Sequence, residues 1–439
     1  MVPSESTSMQ IDDTTLADLE VFGSRGSGGL FELLDRTSTS RGRAALRRRF
    51  RSPSSDLQVL RRTQEAVRFL MGGFGLGRVD EASIDAVARY VQSNIAIDAG
   101  SGLSERTEHA LLFLRYRGIL REIKAGVAST LAFFAETATL CRNLADRSPP
   151  PALAELVSRI DGIARDVLDM PVAHRSLLAQ DRALRSRLRP SILEALDLLG
   201  ELDALNSMAS ASTAPGWNLP ELVDSESFVL EAEGIFHPFI RDPVVNPCRL
   251  NGGEPMVFLT GPNMAGKTTY LRSVAIVVLL AQVGMAVPAR QVRVSPVEAL
   301  FTSLNPVDNL RDGLSYFYAE VMRVKAAATI LAQGRRAFVM FDEVFKGTNV
   351  RDALDASAEV ILGFARARQS GFIFSSHLTE LVEALQENRA IRFYCFDGEI
   401  RDGTAEYSYR LQQGVSAKRF GLLLLRQADV PKLIEMIGA

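Results

Sequence analysis

Residues 258–273 read FLTGPNMAGKTTYLRS. An apolar run meets a glycine-bounded turn, then Lys267-Thr268-Thr269, then a second apolar run. Gly261 through Thr268 fits G-x-x-x-x-G-K-[ST], with strand-like residues before it and helix-like residues after, the context this pattern requires. The spacing makes an anion cradle. Glycines let successive backbone N–H groups curl around phosphate oxygens, and the helix that starts there adds its positive end. Gly261, Pro262, Asn263, Met264, Ala265, Gly266, Lys267, Thr268 and Thr269 are therefore candidate nucleotide-binding residues. Lys267 is expected at the β- and γ-phosphates, and the Thr268 hydroxyl on Mg²⁺.

Two later stretches carry chemistry that such a cradle needs. AFVMFDE (337–343) is an apolar strand that delivers Asp342 to a metal ion and Glu343 to an attacking water. Adjacent carboxylates at a buried strand end are costly unless a cation and water use them. The other reading is a surface acidic pair before a loop. FIFSSH (372–377) ends in Ser376-His377, and His377 is placed to sense the γ-phosphate or hold the water. A lone histidine is otherwise an ordinary structural residue.

Outward from this core the chain has two styles. From about Leu34 it is helical: Leu57, Leu60, Val67 and Leu70 recur at helical spacing. One pattern runs from Ser104 to about Ala145, about 60 Å at 1.5 Å per residue and so expected as a strut. Helices near Ala152–Leu168 and Ala179–Met208 are expected to return beside it. After Glu221, short strand-like runs alternate with helical ones, which implies a largely parallel sheet with helices on its faces. The fold class is multidomain, α followed by α/β.

The bulk numbers narrow the partners. Among 439 residues the net charge is −2, so nucleic acid would have to be met by a local basic patch. Cys141, Cys248 and Cys395 are widely spaced, without metal-ligand or disulfide pattern, as expected of small buried side chains in a reducing, cytoplasmic protein. No secretory signal is apparent, and the run VAIVVLLAQVGMAV is shorter than the ~20 residues of a membrane span, so no membrane role is expected.

These pieces, in this order, resemble the MutS family of mismatch-repair ATPases. TGPNMAGKTTYLRSVAIVVLLAQVGMAVPA (260–289) is similar to that family's signature, and Pro262, Asn263 and Met264 are not required by a generic phosphate loop. GLSYFYAEV (313–321) is similar to the family's S-x-F-x-x-E loop, with Ser315, Phe317 and Glu320 in place. In the first half, Leu19-Glu20, Leu34-Asp35, Thr39, Gly42 and Pro53 resemble the start of the MutS core, and ELDALNSMASAS (201–212) the end of its lever.

The resemblance implies a helical core and lever domain over 9–212 after a loose N-terminus of 1–8. It implies an ABC-type P-loop ATPase domain over 213–439, including a C-terminal helical dimerisation segment. It implies ATP and Mg²⁺, with Glu343, His377 and Lys267 catalytic, Thr268 and Asp342 on the metal, and Ser315 completing the opposite subunit's site in a homodimer. DNA of mismatched, branched or distorted form is the implied partner.

The departures matter equally. No counterpart of the family's mismatch-reading and connector domains is found, and only Asp146–Leu178 stands where the family inserts its DNA clamp. Phe345-Lys346-Gly347-Thr348 replaces the family's G-R-G-T. The adenine-stacking aromatic is unassigned, with Phe236 and His237 as candidates. Arg36, Arg41, Arg43, Arg47, Arg48, Arg49 and Arg51 stand with no acid among them, either a phosphate-contacting patch or a solvated helix face. Alternatives to a DNA-binding ATPase are a dimeric switch acting on a protein partner, and a nucleotide-binding scaffold with little turnover.

Overall fold

The computed structural model describes residues 8–23, 28–73, 75, 79–93, 117–170, 176–304, 316–378, 380–401, 404–416 and 429–437. The chain divides into two compact units. The first comprises Met1–Leu34, Arg49–Arg61 and Ser212–Ala439, the second Asp35–Arg48 and Arg62–Ala211. Of the stretch 9–212 that the sequence groups as one helical domain, the described residues up to Leu34 and Arg49–Arg61 thus belong with the α/β part.

The first unit is built on a seven-stranded sheet. Its strands are β1 (Gln10–Ile11), β5 (Met256–Thr260), β7 (Ala299–Ser303), β8 (Ala337–Asp342), β9 (Gly371–Ser375), β10 (Ile391–Arg401) and β11 (Thr404–Gln413), in the order β1-β7-β8-β9-β5-β10-β11. All neighbours are parallel except β10 and β11. Every residue of β5, β7, β8 and β9 is buried, as expected of parallel strands covered on both faces. The helix Lys267–Val283 is apolar nearly all round and buried along its length, so it is an interior helix. Among the described residues no helix is long and apolar enough to cross a membrane.

The N-terminal segment joins this sheet for identifiable reasons. β1 extends its edge beside β7. Asp18, buried, accepts from Thr302 Oγ1 at 2.8 Å and from the Leu304 N–H at 2.9 Å. Arg323 pairs with Asp12 and covers the Phe301 ring at 3.6 Å. A smaller sheet in the same unit orders β2 (Glu221–Leu222), β6 (Gln291–Val294), β3 (Leu230–Ile235) and β4 (Asn246–Leu250) as β2-β6-β3-β4.

The second unit is helical. Arg117–Ala145 is the described part of the expected strut; Ser104, its expected cap, lies outside the described residues. The helix buries Ile123, Phe134, Cys141 and Leu144, so it is a core element of its unit and not a lone strut. Pro151–Leu168 follows, opened by Pro at its first turn. The helix expected over 179–208 is broken into Leu177–Arg182, a π-helical turn Ala183–Arg187, and Arg189–Ala211. Beside the break, buried Asp181 accepts from Tyr90 Oη at 2.7 Å and pairs with Arg185 at 2.5 Å. A buried charge held on both sides in this way is satisfied.

Polar residues on Arg189–Ala211 also face inward. Asp203, 1% exposed, accepts from the Thr39 N–H at 2.9 Å, Thr39 Oγ1 at 2.6 Å and the Ser38 N–H. It thereby satisfies donors at the start of the helix Ser40–Arg51. A Cβ on Gly42 would lie 2.1 Å from Asp203 Oδ2, so only glycine fits there. Three of the seven arginines in the cluster meet acids: Arg41 pairs with Asp197, Arg43 with Asp35 at 2.7 Å, and Arg48 with Glu201 at 2.6 Å.

Candidate functional site

The sheet order brings three separate sequence stretches to one place. β9 lies between β8 and β5, so their carboxyl ends present 342–343, 375–377 and the 261–268 turn side by side. Ligand sites of open α/β sheets form at such strand ends. A cleft of about 680 Å³ opens there, lined by Pro262, Asn263, Met264, Gly266, Lys267, Thr268, Thr269, Asp342 and Glu343. That volume suits a ligand of nucleotide size. Ala265 is buried. Gly261 has φ +139°, and a Cβ there would lie 2.3 Å from the Phe396 carbonyl oxygen; the turn therefore needs glycine.

Lys267 is 5% exposed, and its Nζ donates to the carbonyls of Gly261 at 2.7 Å and Pro262 at 3.2 Å. Burial pulls its pKa down, against the opposing charges of Glu343 and Asp342. Asp342 is buried, and its two oxygens accept from the hydroxyls of Thr268 and Ser375. Ser375 holds Glu343 as well: its carbonyl accepts the Glu343 N–H at 2.9 Å.

Glu343 has φ +55°, a left-handed conformation that is uncommon outside glycine. Its Oε1 lies 4.0 Å from Lys267 Nζ, and its Oε2 lies 2.5 Å from Lys346 Nζ and 3.4 Å from His377 Nδ1. Burial pushes this carboxyl up, but the hydrogen bonds and charges of His377 and Lys346 outweigh it and bring it to about 2. The carboxylate is thus ionised and ringed by donors.

The Phe345 departure has a structural account. Its φ is +63°, which costs a side-chain-bearing residue about 1–2 kcal/mol. The ring is 4% exposed and sits 5.7 Å from that of Phe317, and such burial returns about 1.5–3 kcal/mol. Bulk here fills the core behind the turn and does not enter the cleft. Glu320, also buried, accepts the N–H groups of Lys346 at 3.3 Å and Gly347 at 3.4 Å. Burial raises the Glu320 carboxyl and those backbone donors oppose the rise.

Ser315 lies outside the described residues. Phe236 and His237 line the cleft, as do Lys346, from the stretch that departs from G-R-G-T, and Tyr409 and Ile240, which no motif flagged. Tyr409 comes from β11, well downstream of the phosphate loop, and no local pattern marks it. Ser375 stood one residue before the Ser376-His377 pair singled out, and only the strand register shows which hydroxyl meets Asp342.

Family models place these observations. That for MutS domain III matches residues 14–209, and that for MutS domain V matches residues 257–437. The chain belongs to the MutS family. It is 31% identical over 241 residues to the DNA mismatch repair protein MutS of Persephonella marina, a stretch covering 54% of this chain and 27% of that protein. The chain therefore spans well under two thirds of that MutS relative's length. The MutS domain V match takes in the phosphate loop, Asp342 and Glu343, and the MutS domain III match takes in the Asp203 and arginine network.

Proposed function

We propose that the chain is a Mg²⁺-dependent ATPase of the MutS type, in which nucleotide-driven pairing of two copies controls binding to mismatched, branched or distorted DNA. The observation that carries the reading is the convergence of Lys267, Thr268, Asp342 and Glu343 on one cleft at the strand ends. The loop amides and Lys267 would bind phosphates. Thr268 and Asp342 would hold Mg²⁺, and oxygen donors of this kind suit a hard cation. That ion would offset charge on the transferring phosphoryl group. Glu343 would orient or activate water, with His377 beside it near the terminal phosphate. Tyr409 joins Phe236 and His237 as a candidate platform for the base. Ser315 would complete the partner copy's site.

A second reading is favoured by one observation. Arg41, Arg43 and Arg48 pair with Asp197, Asp35 and Glu201, which weakens the case for that helix as a phosphate grip and is accommodated by a protein partner in place of DNA. The two readings separate in one experiment. The full chain carrying Glu343→Gln is tested for dimerisation and for binding to heteroduplex and junction DNA, with and without ATP, across salt concentrations. ATP-dependent dimers with salt-dependent DNA binding support the first reading. Dimers that ignore DNA at low salt support the second, and wild-type chain that turns over ATP fully as an isolated monomer contradicts both.

A further inference from the structure

The turn after Asp342-Glu343 brings a second cation to the site. Lys346 Nζ contacts Glu343 Oε2 at 2.5 Å, while Lys267 Nζ stands 4.0 Å from Oε1. The two ammonium groups therefore bracket the carboxylate from opposite oxygens. Both lysines line the same cleft, together with Thr268.

The backbone beneath Lys346 is fixed and its side chain is not enclosed. Glu320 takes the N–H groups of Lys346 and Gly347, and the buried Phe345 ring anchors the preceding residue against Phe317. The Lys346 side chain is 43% exposed. A flexible stem on a rigid turn lets an ammonium reach neighbouring anions without moving the chain. Lys267 arises from the phosphate-loop helix, next to where a diphosphate would be cradled. Lys346 meets the other oxygen of Glu343 and opens to the same cleft, so a phosphate that extended past the diphosphate toward Glu343 would come within its reach.

We infer that Lys346 is a positioning and specificity-determining residue, whose ammonium links Glu343 to the terminal phosphate and so distinguishes a nucleoside triphosphate from a diphosphate. The inference rests on the nucleotide reading above. It leaves to the loop amides the phosphates common to both ligands and to Lys267 the junction of the last two, and it assigns to Lys346 a contact on the terminal phosphate alone. A charge-assisted hydrogen bond to phosphate is among the stronger polar contacts in proteins, so its removal is measurable.

The test measures dissociation constants of the full chain with Mg²⁺ for a non-hydrolysable ATP analogue and for ADP, in wild type, Lys346→Met and Lys346→Arg. Lys346→Met is expected to weaken the triphosphate analogue about tenfold and ADP less than about twofold, and Lys346→Arg to recover most of the loss. Equal weakening of both ligands, or of neither, overturns the inference while leaving the nucleotide reading intact. If the wild type binds neither ligand, the nucleotide reading itself fails and this inference with it. A thermal melt monitors folding; should Lys346→Met not fold, Lys346→Gln takes its place with the same outcomes.

Discussion

Two clusters of charge stand out along this chain, and they come to opposite ends. In the helical unit, Arg41, Arg43 and Arg48 find Asp197, Asp35 and Glu201, and buried Asp203 collects donors from Ser38 and Thr39. In the α/β unit, Lys267, Lys346, Asp342 and Glu343 converge on a cleft large enough for a ligand. The arginines of the first are dense in sequence, whereas the second is assembled from separate stretches. The difference is direction: Arg41, Arg43 and Arg48 are met by acids of their own unit, and the second cluster is gathered at the open ends of parallel strands. Density of charge marks a face, whereas convergence on a cavity marks a site.

The comparison breaks most readily at Glu343. Glu343→Gln is expected to lower ATP turnover at least about 100-fold, as loss of a group acting on the attacking water does, while ATP binding persists; paired turnover and binding assays check this. If turnover persists, the cleft is not organised as described. Next in size is the closed cluster itself. Asp203→Ala leaves the donors of Ser38 and Thr39 buried without their acceptor, and should cost about 2–4 kcal/mol of stability in a urea titration. A change under about 0.5 kcal/mol would mean that the network is ornamental.

A smaller effect sharpens the contrast. Arg43→Ala and Arg48→Ala remove partly exposed ion pairs, so each is expected to change stability by less than about 1 kcal/mol. Each should also leave the salt slope of any duplex binding unchanged. A slope reduced by roughly 0.9 per arginine would reopen that helix as a phosphate contact. The smallest expected signal is chemical. Burial pushes the Cys141 and Cys248 thiols up to about 12, so neither should react with a disulfide reagent at pH 8 until the chain is unfolded. Rapid native-state labelling of either would show that its core is open.

The site was largely legible in sequence because its strands are buried on both faces. β5, β8 and β9 read as unbroken apolar runs, each ending in a chemically distinctive residue. β11 alternates polar and aromatic side chains as the terminal strand of the sheet, and Tyr409 was hidden with it. β1 is two residues long and makes sense only beside β7. The π turn at 183–187 carries no periodicity of its own. The closed arginine cluster was unreadable for a different reason: the acids at 197 and 201 lie about 150 residues downstream of Arg41 and Arg48. Phe345 stands where the family has glycine, and its left-handed backbone turns the ring into the core, which the substitution alone does not reveal.

The central claim is that the strand-end cluster is a Mg²⁺–ATP site. Isothermal titration of ATP into the full chain tests it most directly, with and without Mg²⁺, for wild type and Lys267→Ala. The account predicts saturable, Mg²⁺-dependent binding of one ATP per chain, abolished by Lys267→Ala in a protein whose thermal melt is retained. Binding of equal strength in both proteins, or none in the wild type, would contradict it.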